Sequence, residues 1–106
     1  MISSRYEAER DELVCVFSGR MDAEAGRRVT EGFESAWASA CGERGDRAEG
    51  MKIIFDLGDV DYVASGFLRL CMVAAKKPGG HQLHVVNTSP DIKKVFTVSG
   101  LDVFVY

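Results

Sequence analysis

Hydrophobic positions along this chain fall into two kinds of stretch: short continuous runs, and longer segments in which they recur every three or four residues. Leu13-Val14-Cys15-Val16-Phe17 is a run of the first kind. It is too short for a helix and reads as a strand buried on both faces. The more polar stretch from Ile2 to Glu9 is expected to pair with it as an edge strand, with Asp11-Glu12 as the turn. After Gly19-Arg20-Met21, Asp22 has the side chain of an N-cap for a helix running through Ala40. On that helix Ala25, Val29, Phe33, Ala36, Trp37 and Ala40 make one apolar stripe, while Arg27, Arg28, Glu31 and Glu34 fall on the water side. From Cys41 to Gly50 there are three glycines and little apolar content. That stretch reads as a solvated loop, open to disorder.

The second half alternates strand and helix. Met51 to Leu57 is a buried strand that breaks into a polar turn around Gly58-Asp59-Val60-Asp61. A helix from Gly66 to Lys77 follows, apolar almost all round, with Lys76 and Lys77 offsetting its negative end and Pro78-Gly79-Gly80 stopping it. Gln82 to Asn87 reads as another strand. Ser89-Pro90 then supplies an N-cap with proline at the first helical position, and Ile92, Val95 and Phe96 form that helix's apolar face. Gly100 offers a left-handed exit with Leu101 placed to pack back, and Val103-Phe104-Val105 closes the chain as a short strand. The order β-β-α-β-α-β-α-β predicts a small α/β domain: a mixed, mainly parallel sheet with helices packed on it.

Composition narrows the function classes. The 106 residues make one domain, 1–106, with 46% hydrophobic and 27% charged residues, ordinary for a soluble protein. A net charge of −3 leaves no electrostatic footprint for nucleic acid. No apolar run approaches the roughly 20 residues that span a bilayer. Met1-Ile2-Ser3-Ser4-Arg5-Tyr6-Glu7 lacks the apolar core of a signal peptide, so the expected compartment is the cytoplasm. Cys15 and Cys71 sit in apolar runs as small core residues, and Cys41 is the exposed one, with no histidine near it in sequence. His81 and His84, three apart on a strand, point to opposite faces and do not suit a metal. With no phosphate-binding glycine loop and no nucleophile–base pair, neither an enzyme nor a cofactor is expected.

One place remains for chemistry. The polar turn hands Ser65 to the start of the second helix, where free N–H groups and the positive end of the macrodipole would stabilise an anion on it. A serine there reads either as a plain N-cap or as a phosphoacceptor, and both roles can hold together. Asp22 and Asp56, a cap and a strand-end turn by their plainest reading, are placed on the rim around it. Arg69 lies four residues after Ser65, on the same helix face. Its plainer role is a solubilising charge on an apolar helix.

Several segments, in order, resemble the STAS domain of bacterial anti-sigma-factor antagonists. Gly19-Arg20-Met21-Asp22 is similar to that family's Gly-x-Leu-Asp turn, and Phe55-Asp56-Leu57 to its Asp-Leu strand end. Tyr62-Val63-Ala64-Ser65-Gly66-Phe67-Leu68-Arg69 resembles its phosphorylation segment, and Asn87-Thr88-Ser89-Pro90 through Ser99-Gly100-Leu101 its last helix and exit. Two departures stand out: Ala64 replaces the common Asp or Ser before the phosphoacceptor, and the glycine comes one residue early as Gly66. The resemblance implies a non-enzymatic regulator of transcription. Unphosphorylated, it would bind an anti-sigma factor that is a serine kinase of the histidine-kinase-like ATPase class; phosphorylated on Ser65, it would let go. A phosphatase would reset it. Asp22, Asp56, Ser65 and Arg69 are the expected contact residues. The competing expectation is a STAS scaffold, or a subunit of a transport complex, that is never modified.

Overall fold

The computed structural model describes residues 1–45, 50–77 and 83–106. Four strands, β1 (Ile2–Glu7), β2 (Glu12–Met21), β3 (Lys52–Val63) and β4 (Leu83–Val86), lie side by side in chain order. β1 pairs antiparallel to β2, and β2–β3 and β3–β4 are parallel. The helices are α1 (Ala23–Arg44), α2 (Ser65–Ala75) and α3 (Pro90–Val98). This is the mixed sheet with packed helices that the hydropathy pattern predicts.

Alternation along the strands decides where the core lies. Leu13, Cys15 and Phe17 of β2, Ile53, Phe55 and Leu57 of β3, and Leu83 and Val85 of β4 join the buried sides of all three helices in one cluster. At its centre Phe55 meets Phe17 and Phe33 edge-on at 4.9 and 5.5 Å, and Phe67 closes on Phe17 at 5.0 Å. Of the intervening residues, Val14 is buried outside that cluster, but Val16, Ile54 and Val86 are only half-buried. The strands are therefore covered fully on one face and, apart from Val14, only partly on the other, not fully on both as their continuous apolar runs suggest.

Other boundaries move for local reasons. The first turn spans Ala8 to Asp11, closed by Arg10 N to Glu7 O and Asp11 N to Ala8 O, and Asp11 takes φ 55°. α1 continues past Ala40 through Cys41 to Arg44, where Gly45 (φ 82°) ends it by donating to Cys41 O. The first four residues of the expected loop are thus helix, and Cys41 is half-buried against the core, not exposed. Residues 46–49 of that expected loop lie outside the described residues, as do the Pro78-Gly79-Gly80 stop, His81 and Gln82. α3 matches its expectation closely. Ser89 Oγ accepts from Ile92 N at 3.2 Å, and Gly100 N and Leu101 N donate to Thr97 O and Phe96 O, the paired bonds of a Schellman exit. The closing strand is reduced to one bridge. Asp102–Phe104 coil into a 3-10 turn, which leaves Val105 to pair with Val85 and Tyr106 N to reach Val85 O.

The largest departure is in β3. The polar turn expected after Leu57 is strand as far as Val63. Its register against β2 slips twice, between Val16/Ser18 and between Gly19/Arg20, so that ten residues of β2 run beside twelve of β3. These are β-bulges, and they carry the strand to the helix that follows.

Candidate functional site at the paired helix starts

β2 and β3 run parallel and end level. Met21 lies opposite Val63, and Ala64 N donates to Met21 O at 2.8 Å. One residue beyond each strand a helix begins, so the starts of α1 and α2 stand side by side at the carboxyl ends of adjacent parallel strands. Gly26, in the second turn of α1, makes the approach close: a Cβ there would lie 3.5 Å from Phe67 N.

Asp22 is the N-cap of α1, as its place in the sequence implies. Its backbone is extended (φ −77°, ψ −175°) and its Oδ1 accepts from Ala25 N at 2.9 Å. The start of α2 is built differently. Its N-cap is Ala64, whose carbonyl takes Phe67 N at 3.0 Å and Leu68 N at 3.3 Å, and no side chain caps the helix. Ser65 is the first helical residue. The capping role open to it from sequence is therefore not the one it takes, and the helix starts one residue earlier than Gly66. The Ser65 side chain is exposed, and its hydroxyl makes no hydrogen bond among the described residues. No acidic residue occupies the first turn of α2, so the positive end of this helix is offset by nothing of its own.

Arg69 stands one turn further along α2, exposed. With Ser65 it lines a groove of about 360 Å³ that also takes in Leu68, Met72, Lys76 and Leu101. The structure thus brings Asp22, Ser65 and Arg69 to one end of the molecule. It does not bring Asp56 there. Asp56 pairs with Val16 and Val86, eight residues before Ala64; counted along β2 from Val16 to Asp22 that is six residues, or roughly 20 Å at the usual strand rise. Its Oδ1 accepts from Gly58 N at 2.9 Å and from Asn87 Nδ2 at 3.1 Å. That carboxylate ties the first bulge of β3 to the end of β4.

Two further residues belong to the site. Arg20 and Tyr62 face each other at the ends of β2 and β3, with the Arg20 guanidinium 3.9 Å from the Tyr62 ring centre, a cation–π contact on the exposed side of the strands that deliver Asp22 and Ser65. Nothing in the linear sequence couples them, because their pairing depends on the second bulge. Elsewhere, burial pushes the Cys15 thiol up to about 12 and raises Cys71 as well, so neither is a nucleophile. Among the described residues no three His, Cys, Asp or Glu side chains gather where a metal could be held, and no helix is long and apolar enough to cross a membrane.

No protein-family model and no curated protein matches the sequence. Solved structures do. The anti-sigma factor antagonist SpoIIAA in its unphosphorylated form superposes with a TM-score of 0.72 at 18% identity, covering 100% of this chain and 86% of that one. The Bacillus cell fate determinant SpoIIAA in its phosphorylated form gives 0.64 at 18% identity, covering 100% and 89%. With its strand order, its level helix starts and this full-length match, the chain has the STAS-type α/β fold.

Proposed function

We propose that this chain is an anti-sigma-factor antagonist: a cytoplasmic, non-catalytic switch that binds an anti-sigma factor and releases it when Ser65 is phosphorylated. The observation that carries the reading is the Ser65 hydroxyl, exposed and unbonded on the first residue of an uncapped helix. A capping serine would have its oxygen committed to the backbone; this one is open to a kinase. The likeness to SpoIIAA in unphosphorylated and phosphorylated forms supports the same direction.

The partner in this reading is a serine kinase of the histidine-kinase-like ATPase class that doubles as the anti-sigma factor. Ser65 Oγ attacks the γ-phosphorus of ATP, its proton passes to a base on the kinase, and ADP leaves. The product carries about −1.5 to −2 charge at neutral pH. In a packed interface that charge acts by desolvation and by repulsion from Asp22, without a change of fold. A phosphatase removes it and restores binding.

The test is to incubate the chain with the kinase-type anti-sigma factor of its own genome and ATP, then map the phosphate by mass spectrometry. It should lie on the tryptic peptide Ile53–Arg69, whose only hydroxyls are Tyr62 and Ser65. A phosphate confined to Thr88, Ser89 or Ser99, or none at all, overturns the reading in favour of an unmodified scaffold.

A further inference from the structure

We propose that a phosphate on Ser65 is held by Arg69 of the same helix, so that modification both adds an anion and withdraws a cation from the binding surface. The proposal rests on Ser65 being the modified residue and says how its phosphate is read.

The geometry is that of an i,i+4 pair. Side chains on an α-helix lean toward its N-terminus, so the arginine at 69 covers the turn that begins at Ser65. Both residues are exposed and border the same groove. No carboxylate lines that groove, and Arg69 has no ion-pair partner among the described residues. The other charged residues nearby are Asp22 at the start of α1, Lys76 in the same groove, and Arg27 and Glu31 of α1, which border the adjoining α1–α2 groove together with Arg69.

The neighbouring helix already contains the arrangement. In the first turns of α1, Arg28 Nη2 reaches back four residues to Glu24 Oε1 at 2.6 Å. Ser65 and Arg69 repeat that spacing at the start of α2, with the acid missing. A phosphoserine would supply it, with more charge and three acceptor oxygens where Glu24 has two. Arginine suits such an acceptor because its planar fork can donate two parallel hydrogen bonds. In the unphosphorylated chain the same guanidinium is open to a carboxylate on a partner. Phosphorylation would then occupy it internally.

Phosphoserine can be installed at position 65 during translation, which needs no kinase and so separates this inference from the identity of the modifying enzyme. The second ionisation of the phosphate, ordinarily near pH 6, is then followed by phosphorus NMR in the parent and in Arg69→Gln. Arg69 should lower that midpoint by roughly 0.3 to 1 unit relative to the variant, and added salt should shrink the difference. The helix start lowers both midpoints alike and cancels. Superimposed titrations for the two proteins overturn the proposal, and they would do so even if Ser65 proved to be the kinase's target.

Discussion

At the scale of single residues, Ser65 and Asp56 show what short-range reasoning reaches and where it stops. Asp22 is legible as a cap because a capping side chain acts within three residues of itself. Asp56 is not, since its second partner, Asn87, lies 31 residues on and becomes a neighbour only through β4. Asp56→Ala should therefore lower stability in urea by about 0.5–1.5 kcal/mol, the net worth of exposed hydrogen bonds whose donors water can take over. Asp56→Asn, which keeps one oxygen, should lose much less, and neither should alter binding at the Ser65 end. Ser65→Asp should do the opposite. An anion suits that helix start, so far-UV circular dichroism and melting temperature should hold, while affinity for the anti-sigma partner falls about tenfold or more. Ser65→Ala should bind like the parent and lose the response to ATP. Calorimetry on the three proteins decides the matter: tight binding by Ser65→Asp ends the switch model.

Elements were legible where their signals are local. The N-cap of α1, the Ser-Pro start and Schellman exit of α3, and the strand cores of β2 and β3 all follow from residues within a few positions of one another. The second half of β3 escaped because bulges change its period. Leu57, Val60 and Val63 are buried at three-residue spacing, with exposed residues between them, a pattern that imitates a turn when strict alternation is sought. Helix α1 ran longer than expected for a different reason: Gly42 is tolerated inside it, and the left-handed Gly45 stops it. Contact between elements can also be tested. Gly32 of α1 lies against β1, where an added Cβ would fall 2.6 Å from Ile2 Cγ2. Gly32→Ala should gain up to about 1 kcal/mol of helix propensity but lose about 1–3 kcal/mol to overpacking. A net loss seen in chemical denaturation, relieved by Ile2→Ala in the same chain, would locate the strain at the α1–β1 contact; a net gain would deny it.

For the molecule as a whole, one core and a mixed, mainly parallel sheet followed from the alternation of elements, but the spatial order of the strands and the face that the helices leave half-covered did not. Continuous apolar runs look alike whether one face or two is packed. The core has a chemical signature. Cys15 and Cys71 are buried within it and Cys41 only packs against it. A thiol reagent at about pH 8 should thus modify Cys41 alone in the native protein and all three cysteines after unfolding; equal native reactivity would contradict this core. A pH-dependent contribution comes from His84, stacked on Tyr106 with ring centres 4.2 Å apart. Partial burial, then the nearby Lys52, hold its imidazole below the usual value of 6.5, against an opposing pull from Glu12. The fold favours the neutral ring, so this contribution is present above about pH 6.5 and is lost as pH falls through the lowered value. The melting temperature should decline from about pH 7 to about pH 5.5, and His84→Phe should remove part of that decline. An unchanged slope would place its origin elsewhere.

The two bulges of β3 have a consequence for how this chain can change over generations. They absorb two residues, and only because they do does Val63 arrive opposite Met21, with Ala64 N bonded to Met21 O. Between Gly58 and Tyr62 the chain is consequently more constrained in length than in composition. Exchanges at the exposed Asp59 and Asp61 would leave the helix starts level, whereas the loss of one residue would offset them by about 3.3 Å. That offset would draw Gly66 away from Gly26 and part Ser65 from Asp22, with every residue of the site still present. In this stretch the inheritance of function is a matter of counting.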